Sequence, residues 1–295
     1  MRGSECGLRE MTVDDLDEVV AVDIRAFAGP GRQIPPPRRR ELLAAYLASG
    51  GGVVAEVEGI TSGFLFWHRW GAYAWLGPVA VDPSRRGNGI GRRMVEEAQG
   101  MLAAAGVRVT GLETWPEEGR NLTFYARLAF GWDGFCLLLQ RGVPPEGAPI
   151  PPVPVEDPAL IRPVAAAVLP GFDPSLWVGA MLESGLGELF AGRDGCVLCQ
   201  RGGSREGTGG LGVIRLLLAG PGARPSRTSE LLQTACAYFR AVGVPEVVLP
   251  LPGAERHRLP ELLKQGWRVA GATLRAHYPS SPSPFRGTAL FSLMG

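Results

Sequence analysis

The sequence predicts an α/β chain built as two tandem domains. Three observations carry that expectation. Apolar, strand-like runs alternate with stretches of helical period. A proline-rich break divides the chain near its middle. After the break the order of elements starts again.

The first half reads in order. Leu8 to Glu10 is a strand. Thr12 is placed to cap the next helix, with Asp14 and Asp15 where carboxylates suit the helix dipole. Leu16, Val19, Val20, Asp23 and Phe27 trace that helix, and Gly29-Pro30-Gly31 breaks it. Pro35-Pro36-Pro37 leads into a helix over 38–49, with Leu42, Leu43, Tyr46 and Leu47 as its buried side. Residues 52–58 and 60–69 form a hairpin about Glu58-Gly59, and 72–81 is the next strand. Trp67, Trp70, Tyr73 and Trp75 cluster here. Core packing and an apolar acceptor pocket both fit them.

Val79-Ala80-Val81-Asp82-Pro83 closes that strand, and Ser84-Arg85-Arg86-Gly87-Asn88-Gly89-Ile90-Gly91 comes next. The glycines let backbone N–H groups converge and a ligand approach closely. Ile90, Met94, Val95, Ala98, Met101, Leu102 and Ala105 then mark one helical face. A helix N-terminus beside Arg85, Arg86, Arg92 and Arg93 is a seat for an anion, most naturally a phosphate or pyrophosphate. The dinucleotide fingerprint fails, because its third glycine would fall at Arg92. No Gly-Lys-Ser/Thr follows, so a P-loop is excluded too. Val107 to Thr114 is a strand, Asn121 is placed to cap a helix that Gly131 closes, and 134–141 is another strand.

Arg86-x-x-Gly89-x-Gly91 after an apolar strand resembles the acetyl-CoA signature of the GNAT N-acetyltransferase superfamily. Asn121, Tyr125 and the terminal Gly131-Trp132 resemble that family's fourth-helix pattern. The resemblance spans about residues 8–141. It implies a mixed, twisted, mostly antiparallel sheet flanked by helices. It implies acetyl-CoA as acyl-donor substrate, its pantetheine arm filling a gap beside the strand that carries Val79, Ala80 and Val81. Gly87, Asn88, Gly89, Ile90 and Gly91 would hold the pyrophosphate, with Arg86 and Arg92 adding charge and Asn121 completing the cofactor contacts. Tyr125 is then the expected general acid. Glu113 is the best substitute for a base, against a competing structural role. The expected activity is N-acyl transfer to a primary amine by direct attack. The alternative is an acyl-CoA-binding sensor or scaffold without catalysis.

From Pro144 through Pro158 there are seven prolines, a stiff linker between an expected N-terminal domain, 1–147, and C-terminal domain, 148–295. Beyond it, helices at 158–169, 176–184, 227–242 and 255–265 alternate with strands at 187–192, 196–200, 209–219 and 247–251. Val242-Gly243-Val244 rhymes with Ala105-Gly106-Val107, and Gly266-Trp267 with Gly131-Trp132. The second half is thus expected to be a degenerate copy. Laying Gly106 on Gly243 puts Gly89 on Ser226, Tyr125 on Leu262 and Val79-Ala80-Val81 on Leu216-Leu217-Leu218, which removes the signature. The first half shows no last strand of its own. The tail strand 288–293 is expected to pack near the first domain or at the junction.

Lys+Arg 30 against Asp+Glu 29 gives no pull toward nucleic acid, and no apolar run approaches a membrane span. Five cysteines are an odd and sparse set, which suits a reducing cytoplasm. Cys196-x-x-Cys199 has no second pair and sits on a strand, where positions three apart face opposite sides, so buried thiols rather than a metal site are expected. The expected partner is an amine-bearing acceptor, with neither nucleic acid nor membrane, for a monomer or homodimer.

Overall fold

The computed structural model describes residues 6–27, 40–143, 153–201, 211–280 and the backbone of 289–291. The first half supplies strands β1 (Cys6–Glu10), β2 (Gly50–Val57), β3 (Ile60–Trp70), β4 (Tyr73–Val81), β5 (Val109–Thr114) and β6 (Gly131–Gly142). Its helices are α1 (Leu16–Phe27), α2 (Arg40–Ala48), α3 (Ile90–Ala104) and α4 (Gly119–Arg127). The second half supplies α5 (Arg162–Val168), α6 (Ser175–Glu183), β7 (Gly187–Gly192), β8 (Gly195–Arg201), β9 (Leu211–Ala219) and α7 (Arg227–Ala241). There follow β10 (Glu246–Pro252), α8 (Leu259–Lys264), β11 (Arg268–Tyr278) and β12 (Ala289–Phe291).

Local chemistry accounts for the boundaries. Asp15 accepts from the N–H and hydroxyl of Thr12, which starts the turn into α1. Glu58 and Gly59 both take positive φ, +56° and +76°, the geometry of a two-residue hairpin turn between β2 and β3. On one face of the sheet, Leu16, Val19, Leu42 and Tyr46 of α1 and α2 pack on Phe64 and Phe66. On the other, Met94, Val95 and Leu102 of α3 pack on Leu65 and Leu112. Among the described residues no helix is long and apolar enough to cross a membrane.

All the strands join one sheet, in the order β1-β2-β3-β4-β5-β11-β6-β10-β9-β8-β7, with β12 on β9. The pairs β4–β5 and β9–β10 are parallel and every other pair is antiparallel. The halves exchange strands. β11 lies between β5 and β6, and β6 lies between β11 and β10. The first half's missing strand is therefore β11, a stretch with no sequence-based assignment. The tail corrects the expectation made for it: Ala289, Leu290 and Phe291 pair with Leu218, Leu217 and Leu216 inside the second half.

The aromatic cluster is core. Trp70, Tyr73 and Trp75 pack against Phe172 and Trp177 of the second half, with Trp70 5.8 Å from Trp177 and 5.6 Å from Phe172 between ring centres. Trp67 points to the opposite face. Cys196 and Cys199 also enter different cores. Burial pushes the Cys196 thiol up to about 12 and the Cys199 thiol well above its ordinary value.

The internal repeat is visible in the hydrogen bonds. Val107 N–H reaches Leu102 as Val244 N–H reaches Phe239, and Phe130 N–H reaches Tyr125 as Trp267 N–H reaches Leu262. Trp267 thus answers to Phe130, not to Trp132. β9 corrects the expected register by one. Leu211 pairs with the first residue of β10 as Tyr73 pairs with the first of β5, so Leu217 answers to Val79 and Ala219 to Val81. The loop into α7 is one residue shorter than its counterpart.

Candidate active site

β4 and β5 run together over three pairs only: Tyr73 with Val109, Ala74 with Thr110 and Trp75 with Gly111. Beyond them β4 keeps β3, β5 keeps β11, and a fork opens. Two features set it. The Trp75 indole lies so close to Gly111 that no Cβ fits there. β4 then bulges against β3 between Leu76 and Val79, at Gly77, whose φ of +135° suits glycine alone. A bulge bends its strand and re-aims the residues beyond it.

The phase of the ladder decides where the free backbone points. Asp82 N–H donates to the Ser62 carbonyl at 2.9 Å, so Asp82 and Ala80 are the residues that exchange bonds with β3. Bonding alternates in an antiparallel pair. The N–H and C=O groups of Val79 and the N–H of Val81 therefore turn into the fork, while the Val81 carbonyl accepts from Arg86 Nε. Their side chains pack toward α3, and that of Ala80 toward α1 and α2.

The loop after β4 is tied down before any ligand arrives. Asp82 accepts from Ser84 N–H at 2.9 Å and from Ser84 Oγ at 2.6 Å, and pairs with Arg25 of α1 at 2.7 Å. The Ser84 hydroxyl above all, then Arg25, hold its carboxyl down to about 2. Arg86 donates to the Val81 carbonyl at 3.1 Å and to the Ala26 carbonyl at the end of α1 at 2.7 Å. Arg86 is thus a clamp between β4 and α1 as well as a cation. Asn88 Nδ2 donates to the Arg85 carbonyl at 3.1 Å.

Gly87 and Gly89 take φ of +85° and +77°, which L side chains rarely adopt. Gly89 caps α3 without a side-chain bond, and Arg93 N–H is bonded back to its carbonyl at 3.1 Å. The N–H groups of Ile90, Gly91 and Arg92 precede that bond and have no acceptor within the helix. Ile90 anchors the turn in the core. Gly91 lies beneath Phe124 and Val81, where a Cβ would make ordinary contact at 3.5 and 3.6 Å. Arg92 is exposed and pairs with Glu96 at 2.7 Å.

α4 and β5 bring up the other named residues. α4 starts at Gly119, so Asn121 is not its cap. Its side-chain amide instead donates to Thr114 Oγ1 at 3.3 Å, tying α4 to the end of β5. Tyr125 is 9% exposed, edge-on to Phe124 and Phe130 at 4.9 and 5.7 Å. Burial pushes its phenol up to about 12.

Glu113 has a structural employment. Arg275 Nε donates to one oxygen at 2.7 Å and Thr273 Oγ1 to the other at 3.0 Å. Both partners arrive on β11 from the far end of the chain. The structural role expected to compete for Glu113 is found, in its bonds to β11. This arrangement leaves no free base at that position. Among the described residues no group of three or more His, Cys, Asp or Glu side chains is arranged to hold a metal ion.

The second half carries the same plan without the same chemistry. Ser226 stands at the position of Gly89 with φ −71°, and Leu262 at that of Tyr125. Among the described residues, a strand, an open fork, a left-handed glycine turn and an uncapped helix start come together in the first half alone. Residues 48–130, the stretch that holds this site, match the family model for the acetyltransferase (GNAT) domain, and the chain as a whole shares the fold of a tandem GNAT protein.

Solved structures share the fold over nearly the whole chain. A presumed acetyltransferase from Pyrococcus horikoshii is 17% identical, covers 99% of this chain and 95% of its own, and gives a TM-score of 0.72. A tandem GNAT protein from the clavulanic acid biosynthesis pathway is 14% identical over 95% and 100%, with a TM-score of 0.64. A GCN5-related N-acetyltransferase from Sphaerobacter thermophilus is 16% identical over 94% and 96%, at 0.61. No curated protein sequence matches the chain.

Proposed function

We propose that the first half is an acyl-CoA-dependent N-acyltransferase that moves acetyl from acetyl-CoA to a primary amine by direct attack. The observation that carries this reading is the fork between β4 and β5, with the backbone of Val79 and Val81 turned into it and the bare N–H groups of α3 at its end. An extended amide-bearing arm would find the Val79 and Val81 groups. Its diphosphate would find Gly87 to Gly91, Arg86 and Arg92. A fork already clamped to α1 costs little reorganisation on binding.

Tyr125 supplies a neutral donor. A free thiol titrates near ~8.5, so full transfer of a proton from a phenol held at about 12 to the departing thiolate is uphill. Tyr125 instead donates a hydrogen bond to the sulfur as negative charge builds on it. Asn121 helps hold α4 in place for that contact. The amine loses its proton without Glu113, through water or by arriving neutral.

The sequestration of Glu113 favours the alternative, an acyl-CoA-binding module without turnover. One assay separates the two. Acetyl-CoA is offered with a panel of small amines, amino acids and peptides, and free thiol is followed. Acceptor-dependent thiol release supports the transferase. Binding of CoA with no release across the panel supports the module.

A further inference from the structure

The second half also has a fork. β9 and β10 run parallel through Leu211 with Glu246, Gly212 with Val247 and Val213 with Val248, and then part. β12 lies in that opening. Leu218 pairs with Cys196 of β8 on one side and with Ala289 on the other, so β12 is on the side that faces β10.

The ladder's phase again fixes the direction of each group. Gly220 N–H donates to the Asp194 carbonyl at 2.9 Å, so Leu218 and Leu216 exchange bonds with β8. Leu217 turns the other way and meets Leu290. Leu217 is the counterpart of Val79. The tail thus takes up backbone groups equivalent to those that face the open fork of the first half.

The anion seat is filled as well. Ser226 Oγ donates to Glu230 at 2.8 Å, and Arg224 and Arg227 pair with the same carboxylate at 3.0 and 3.5 Å. A carboxylate at the start of α7 already occupies the cations that a phosphate would need there. A ligand with an amide backbone and no phosphate meets no such obstacle.

We infer that the fork between β9 and β10 is a binding site for an extended peptide strand, filled by residues 289–291 of the same chain as a separable occupant. Three paired residues make few ladder bonds, each of modest net worth, so the segment can leave without unravelling β9. The equivalence of the two forks rests on the function proposed for the first. Occupancy of the second is read without CoA, so either can fail alone.

Leu290→Pro in the full chain removes the N–H that donates to the Leu217 carbonyl and turns a ring against β9, so the segment parts from β9 and the Leu217 N–H loses its acceptor on Leu290. Residue-resolved hydrogen exchange should then show the Leu217 amide exchanging at least ~10-fold faster, with Leu216 and Leu218 unchanged because β8 still holds them. In a chain ending at Ser280, a synthetic peptide of residues 286–293 should restore protection at Leu217. Unchanged exchange at Leu217 in the proline variant would overturn the site. Acceleration at Leu216, Leu217 and Leu218 together would make β12 an integral strand, and a peptide without effect on a folded truncated chain would deny a separable occupant. If the truncated chain does not fold, the proline variant decides.

Discussion

Arg275 and Glu113 form a buried ion pair between the two halves of the chain, 2.7 Å from Nε to Oε1, with the side chains 6% and 3% exposed. Arg275 also lies over the Trp75 ring, 5.5 Å from its centre. One contact therefore joins the exchanged strand β11, the strand β5 that borders the fork, and the aromatic core.

Breaking that pair from one side leaves a charge in the core. Arg275→Met should cost about 3–5 kcal/mol at neutral pH. Adding Glu113→Leu removes the stranded carboxylate and should recover much of the loss. Urea unfolding of both single variants and the double checks this. A double variant no more stable than the worse single would show that packing, not charge, is at stake.

Gly89→Val should abolish CoA binding, since a β-branched residue resists φ near +77° and stands beside the anion seat. Gly91→Ala should bind normally, because its Cβ fits at ordinary contact distance. Calorimetry should find one CoA per chain in the parent and in Gly91→Ala, and none in Gly89→Val with its melting point within a few degrees. Two equivalents in the parent would place a donor in the second half.

Tyr125→Phe should lower turnover roughly 10- to 1000-fold with CoA affinity nearly unchanged. With the phenol held at about 12, kcat should show no descending limb from this group below pH ~10.5. A pH–rate series on the best acceptor, in both forms, tests the two points together.

His68 is buried against the Ser49 hydroxyl, Tyr46 and Trp70, and burial pushes it down to about 3, with the charge of Arg215 adding to the effect. The unfolded chain takes up this proton near 6.5, while the native state refuses it until about 3. Its contribution to stability is complete above pH 6.5 and is lost as pH falls. Between pH 5.5 and 4 the slope should approach about 1.4 kcal/mol per pH unit, and His68→Gln should flatten it. Urea midpoints across that range give the slope directly.

Features that depend on near neighbours were legible in the sequence. The Gly87 to Gly91 turn, the Glu58-Gly59 hairpin and the amphipathic α3 each follow from a few adjacent residues. β11 was not legible, since Arg275 and His277 sit where a core strand should be apolar and their partners lie on β5 and β6. Counting forward from the repeat would have found it, because a strand follows Phe130 and Trp267 stands in that place. The aromatic cluster was visible, but Phe172 and Trp177, which decide it is core, belong to the other half. Glu113 looked available for the same reason: the arginine that claims it is supplied by the exchange.

The exchange also has a consequence for synthesis. β5 and β6 emerge from the ribosome early, yet the strand that joins them ends at Tyr278. At ~5–20 residues per second, the first half waits on the order of ten seconds with an open seam in its sheet. Both lips of that seam carry unpaired backbone, the kind of edge that recruits another chain. A pause in translation within the second half should therefore favour aggregation of the nascent chain, and faster decoding there should protect it.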